Sequence, residues 1–182
     1  GPAMIIAGAG SGKTRVLTYR VAHLIENQVD PFNILTLTFT NKAAKEMRHR
    51  VEELTGISSR HLWIGTFHSL AHRLLRTHWQ QANLPENFQV MDSDDQLRLI
   101  KRLAKEMNLD DKRWPPRQFQ WYINDKKDNG LRAKHIEPRH DLNDRQMVAM
   151  YEAYEQACER GGMIDFGELL LRSLELFRDK NP

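Results

Sequence analysis

Ala7-Gly-Ala-Gly-Ser-Gly-Lys-Thr14 is the segment that most restricts how this chain can fold. Alternate glycines admit dihedrals closed to other residues and let a backbone approach a ligand closely. Before the loop, the apolar run Ala3-Met-Ile-Ile-Ala7 reads as a strand; after it, residues 13–26 set Leu17, Val21, Leu24 and Ile25 at helical spacing. A strand, a glycine loop and a helix in that order turn backbone N–H groups toward one point at the positive end of the helix, which suits a phosphate chain. Lys13 would reach the β and γ phosphates and the Thr14 hydroxyl would ligate Mg²⁺. The first position of the usual pattern is Ala7 rather than Gly. A plain glycine turn before Lys-Thr is the bland alternative, and the flanking strand and helix weigh against it. Gly8, Ala9, Gly10, Ser11, Gly12, Lys13 and Thr14 are therefore candidate nucleoside-triphosphate ligands. The loop is silent on what the energy drives.

The following segments repeat the alternation. Ile34-Leu-Thr-Leu-Thr-Phe39 is rich in strand formers after a turn at Asp30-Pro31. Residues 41–54 return to a helix with Ala43, Ala44, Met47, Val51 and Leu54 on one stripe, stopped by Gly56, and His61-Leu-Trp-Ile64 reads as a third strand. This order predicts a parallel sheet with crossover helices. Beyond Gly65 no glycine occurs until Gly130, and helical patterns take over. A helix is expected over 66–78, and another after a capping box at Ser93-Asp-Asp-Gln96. A third follows Pro115-Pro116, with Phe119, Tyr122 and Ile123. A fourth, from Asn143, carries Met147, Met150, Tyr151, Tyr154 and Cys158 and closes at Gly161-Gly162. The last begins at Asp165-Phe-Gly-Glu168, with Phe166, Leu169, Leu170 and Phe177. The expected architecture is α/β: an incomplete parallel phosphate-loop sheet with an all-helical subdomain.

Charge and composition narrow the function classes. Net charge is +3, the remainder of +7 over residues 1–139 and −4 over the rest, a polarity that suits a polyanion near the front. The lone Cys158 excludes an internal disulfide framework and a cysteine-based zinc site and fits a reducing compartment. No long apolar stretch predicts a membrane span and no leader pattern opens the sequence, so a cytoplasmic location without a membrane partner is expected. Hydrolysis needs a carboxylate at the end of a second buried strand. Phe88-Gln-Val-Met-Asp92 is interrupted by Gln89, and in Met163-Ile-Asp165 the carboxylate reads better as a helix cap to Glu168. With three expected strands where an open α/β sheet has about five or six, the sheet reads as unfinished, a piece of a larger motor or kinase.

Three further segments carry a resemblance: Thr38-Phe-Thr-Asn-Lys-Ala-Ala-Lys-Glu-Met47, Gly65-Thr-Phe-His-Ser-Leu-Ala-His72, and Arg15 directly after the loop. With Ala7–Thr14 they closely resemble superfamily 1 DNA helicases of the UvrD/PcrA/Rep type, nearest the UvrD branch. Asn83-Leu-Pro, Asp95-Gln-Leu-Arg-Leu, Trp114-Pro-Pro-Arg-Gln and Ile164-Asp-Phe-Gly-Glu-Leu-Leu extend the likeness over nearly the whole chain. The resemblance implies an ATP-driven, 3′-to-5′ motor on single-stranded and forked DNA, acting in repair or replication through two RecA-like domains. It matches residues 1–68 to the first part of the N-terminal RecA-like domain and 69–182 to its inserted helical subdomain. It implies ATP and Mg²⁺ as cofactors, Arg15 packed on adenine, and Phe39, Thr40, Asn41, Lys42, Thr66, Phe67 and His68 along a single-strand track.

Each assignment has a plainer counterpart. Phe67 falls on a stripe with Leu70, Ala71 and Leu74 and reads nearly as well as core. His68 alone reads as a surface histidine, and Lys42, Lys45 and Arg48 as a solvated helix face. Arg113, Trp114, Arg117, Trp121, Lys126 and Lys127 mix basic and aromatic residues that would meet a duplex or displaced strand, with packing the stronger expectation for the tryptophans. Measured against the family, the adenine-specifying glutamine segment, the Asp-Glu motif and the second RecA-like domain are missing. The chain alone is thus expected to lack ATPase and helicase activity, the remainder of the helicase being its partner. A helicase–nuclease subunit, a phosphate-loop nucleotide kinase and a helical docking fragment are the alternatives.

Overall fold

The structure, a computed structural model, describes residues 4–8, 10–138 and 141–179. The chain divides into two compact units, Gly1–Leu70 and Ala71–Pro182. In the first, helix α1 (Lys13–Glu26) is followed by strand β1 (Leu35–Thr38), helix α2 (Asn41–Thr55) and strand β2 (Trp63–Thr66). Helix α3 (Phe67–Thr77) starts directly on β2. Strands β1 and β2 pair in parallel, Leu35 opposite Trp63 and Thr38 opposite Thr66. α2 begins on the cap of Thr40, whose hydroxyl accepts from Ala43 N–H at 3.2 Å, and ends at Gly56, φ 69°, a left-handed position that suits glycine. Val21, Ile34, Met47, Val51, Leu62 and Ile64 form the core of this unit.

One expectation fails here, and one detail of β1 was not foreseen. Met4–Gly8 form no strand, and Ala3 lies outside the described residues. Strand geometry is set by a neighbour's hydrogen-bond ladder rather than by apolar composition, and Met4, Ile5 and Ile6 are exposed. In β1 the inward position belongs to Thr36, while Leu35 and Leu37 point to the open face. β1 thus buries the face that α2 covers, whereas Ile64 and Gly65 of β2 are buried on both faces.

The second unit packs helices α4 (Ser93–Glu106), α5 (Pro116–Asp128), α6 (Leu142–Gly161) and α7 (Phe166–Asp179). It also contains a two-residue parallel pair, β3 (Gln89–Val90) with β4 (Met163–Ile164), so the expectation of an all-helical subdomain is corrected. The Phe88–Asp92 and Met163–Asp165 segments are the ones that meet, closed by Gln89 N–H to Gly162 O at 2.9 Å and Met91 N–H to Ile164 O at 2.8 Å. The capping box of α4 is formed by Asp92 and Asp95 rather than opened by Ser93, because the Asp92 carboxylate accepts from Asp95 N–H at 2.8 Å. Ile100, Phe119, Ile123, Met150, Tyr151 and Tyr154 are fully buried in one cluster; each side chain of this size contributes about 1.5–3 kcal/mol. Leu75, Phe88, Ile164 and Leu169 form another.

Charge also lies inside this unit. Lys127 Nζ is buried between Asp165 Oδ2 at 2.7 Å and Glu168 Oε2 at 3.0 Å. Asp165 further accepts from the Tyr154 hydroxyl at 2.6 Å and caps α7 through Glu168 N–H at 2.7 Å. Arg132 reaches Glu155 at 3.0 Å, Glu168 at 2.8 Å and Glu175 at 2.5 Å, and Arg172 joins Glu168 at 2.8 Å. These bonds set the rotation of α7: Glu168, Leu169 and Leu171 face in, whereas Phe166 and Phe177 are exposed. Burial alone would raise the Glu168 carboxyl, but the Lys127 and Arg132 charges pull it well below the usual carboxylate range. Burial would lower the Lys127 ammonium, and Glu168 with Asp165 more than offset it, so it lies above its ordinary value. Cys158 is buried nearby, and burial pushes its thiol up to about 12.

Because Glu168 is depressed, its contribution is complete above the ordinary carboxylate value of about 4.3 and is lost as pH falls through its lower folded value. Lys127 is raised, so its contribution is complete below about 10.4 and is lost as pH climbs through its higher folded value. Urea unfolding is expected to show a plateau between about pH 5 and 9 with a steep loss below about pH 4. Glu168→Gln at neutral pH is expected to cost about 3–5 kcal/mol, because buried cations lose their counter-charge.

Candidate nucleotide loop and aromatic edge

The glycine loop reaches α1 through Gly10 at φ 76° and Gly12 at φ 84°, where an L side chain costs about 1–2 kcal/mol. Gly12 is the residue before the helix and provides no side-chain cap, so first-turn N–H groups stay directed at the loop, where an anion can take them. Ser11 Oγ donates to Gly8 O at 2.6 Å. Lys13 Nζ donates to Ala7 O at 2.8 Å and to Gly8 O at 2.5 Å, folding the ammonium back over the loop. Thr14 is exposed one residue on, and its carbonyl accepts from the Thr18 hydroxyl at 2.8 Å. Ala9 lies outside the described residues. An open depression of about 570 Å³ adjoins, lined by Gly10, Ser11, Gly12, Arg15, Val16 and Tyr19. No carboxylate is among these lining residues. The Arg15 guanidinium sits 5.5 Å from the centroid of the Tyr19 ring.

The other candidates gather at the C-terminal edge of the strand pair. Since β1 and β2 are parallel, both release their chains at the same edge, and each leads into a helix N-terminus. Phe39 is 90% exposed and Phe67 46%, their ring centroids 6.0 Å apart and tilted at 48°. Periodicity placed Phe67 nearly as well in the core; the structure places it against Phe39. Thr66 and Ser69 cap α3 reciprocally: Thr66 N–H donates to Ser69 Oγ at 2.9 Å and Ser69 N–H to Thr66 Oγ1 at 3.3 Å. The Thr40 and Thr66 hydroxyls therefore serve as caps, and the groups presented outward are the rings, the first-turn amides and the exposed Asn41, Lys42 and His68. Gly65 allows the sharp entry into α3, because a Cβ there would lie 2.6 Å from Ser69 Oγ and 2.9 Å from Leu70 Cγ.

The row Lys42, Lys45, Arg48 is not uniformly solvated. Lys42 and Lys45 are exposed, but Arg48 is half-buried and donates through Nη1 to Ile64 O at 2.7 Å, tying α2 to β2. In the helical unit Trp114 is buried and stacks on Phe119 with centroids at 6.1 Å, as packing predicts. Trp121 is 69% exposed, against the packing expectation, and Lys127 is consumed by the buried ion network, so it is no surface contact for DNA. Ser69 and Tyr19 carry no role in the sequence reading, and Arg48 appears there only as part of a solvated face. Thr66-x-x-Ser69 was a readable cap spacing and Arg15 to Tyr19 a readable one-turn helical spacing; nothing local marked Arg48, whose acceptor is 16 residues away.

A family profile described as "UvrD/REP helicase N-terminal domain" matches residues 1–182. DNA helicase II of Escherichia coli (strain K12) is 56% identical over 179 residues, covering 97% of this chain and 25% of that protein. DNA helicase II of Haemophilus influenzae is 52% identical over 182 residues. ATP-dependent DNA helicase PcrA of Staphylococcus epidermidis is 44% identical over 180. The chain spans about a quarter of the length of these relatives.

Loss of the α3 cap gives a direct test of the edge geometry. Ser69→Ala is expected to lower stability by about 1 kcal/mol, read as a reduced urea midpoint; an unchanged midpoint would contradict the reciprocal cap.

Proposed function

The chain belongs to the UvrD/REP helicase N-terminal domain family, and we propose that it forms part of the first RecA-like domain of an ATP-dependent DNA helicase. Residues 1–68 are the nucleotide-binding and strand-gripping part in this reading, and 69–182 its inserted helical subdomain. The observation that carries it is the Phe39–Phe67 ring pair set between two helix N-termini at one sheet edge. Every base has a π-face, so exposed rings hold single-stranded DNA without reading its sequence. Amides at the starts of α2 and α3, with Asn41 and Lys42, take the phosphates.

The glycine loop fits a triphosphate by its own chemistry: left-handed glycines, an uncapped helix start, and an ammonium free to exchange two neutral carbonyls for anionic oxygens. Gly8, Gly10, Ser11, Gly12 and Lys13 hold the phosphates, and Thr14 offers a hydroxyl to Mg²⁺, which neutralises charge developing on the phosphates when bound. Arg15 lies where a base leaving the loop would meet it. α1, which starts at the loop, packs on α2, which starts at the aromatic edge, so a displacement at one site has a contiguous path to the other. The exposed Met4, Ile5, Ile6, Leu35 and Leu37 fit a sheet covered in the full-length protein by its remaining segments. In that protein the activity is ATP-driven 3′-to-5′ translocation and duplex unwinding.

Two outcomes are expected. A fluorescent oligo-dT bound by this chain loses affinity by about 1–3 kcal/mol with Phe39→Ala or Phe67→Ala and also weakens as salt rises; binding indifferent to both substitutions would remove the aromatic edge from the reading. With no carboxylate lining the loop depression, the purified chain shows no Lys13-dependent ATP turnover. A rate abolished by Lys13→Met would contradict that expectation.

A further inference from the structure

Tyr19 has no part in the reading so far, and its position gives it one. It lies one helical turn after Arg15 on α1, is 46% exposed, and lines the same depression as Gly10, Ser11, Gly12, Arg15 and Val16. The Arg15 guanidinium stands 5.5 Å from the Tyr19 ring centroid, within the range in which a cation is drawn to an aromatic face. An unrestrained arginine on an exposed helix samples many rotamers, and ordering it costs free energy at the moment of binding. The Tyr19 face meets part of that cost in advance.

We propose that Tyr19 is a positioning residue for nucleotide binding, backing the Arg15 guanidinium so that its other face receives a purine extending from the phosphate loop. The site is thereby layered, base on guanidinium on phenol ring. The phosphates, held by Gly8–Thr14, do not depend on it. Val16 adds an apolar side chain to the same lining and no base-edge hydrogen bond, so the layer recognises ring area. This rests on the nucleotide reading above.

The test separates the two ends of the ligand. Equilibrium binding of MgATP and of magnesium tripolyphosphate, which has no base, is measured by calorimetry on the 182-residue chain and its variants. Tyr19→Leu is expected to weaken MgATP by roughly two- to fivefold and to leave tripolyphosphate unchanged, with Tyr19→Phe restoring the wild-type value. Circular dichroism checks the fold, and Tyr19→Gln substitutes if the leucine variant does not fold. MgATP affinity unmoved by Tyr19→Leu, or an equal loss for both ligands, overturns the proposal while leaving the phosphate loop in place. Lys13→Met without effect on either ligand overturns the nucleotide reading itself and the proposal with it.

Discussion

Parallel pairing of β1 with β2 is the constraint on which the candidate site depends. Antiparallel strands would send their C-termini to opposite edges, and no pair of consecutive helix N-termini would then share one. Here Thr38 stands opposite Thr66, so Phe39 and Phe67, each the next residue, leave the ladder together. The caps that follow are local consequences: Thr40 starts α2, Thr66 with Ser69 starts α3, and Arg48 occupies the Ile64 carbonyl from the side. A site made of two short segments far apart in sequence is thereby fixed by four ladder positions.

The second unit solves a different problem. Its helices carry many charges, and some are inside. Lys127, Asp165, Glu168 and Arg132 bring together α5, α7 and the segment between α5 and α6. A buried pair is weak evidence of net stability, since desolvation opposes attraction. Its clearer effect is on geometry: Asp165 caps α7 and bonds Lys127 and Tyr154 at once, which leaves one rotation for the helix and puts Phe166 and Phe177 on the outside.

Local signals were legible wherever the cause was local. The loop glycines, the stop at Gly56, the Pro116 helix start and the Gly162 end were readable because backbone dihedrals and missing donors act within a residue or two. Met4–Gly8 misled because an apolar run does not make its own ladder. Ser93 misled by one residue because Asp92, just before it, is an equally good cap with a matching Asp95. The strand within residues 34–39 was legible, but its composition does not say which face a helix will cover, and Leu35 and Leu37 lie on the open one. The candidate residues themselves came from motif spacing and family likeness; what spacing lacked was that the Thr40 and Thr66 hydroxyls would be used as caps, and that Lys127, read as surface, would be the centre of an ion network.

Cys158 has a practical consequence. It is the chain's sole cysteine, enclosed among packed side chains with its thiol held up to about 12. At neutral pH the reactive thiolate is scarce and the side chain is buried. A dye or spin label bearing a maleimide would therefore react only slowly with the native thiol of the folded chain. Single cysteines placed beside Phe39 or Arg15 would take the label first, and distances could be followed spectroscopically without first stripping the protein of its own thiol.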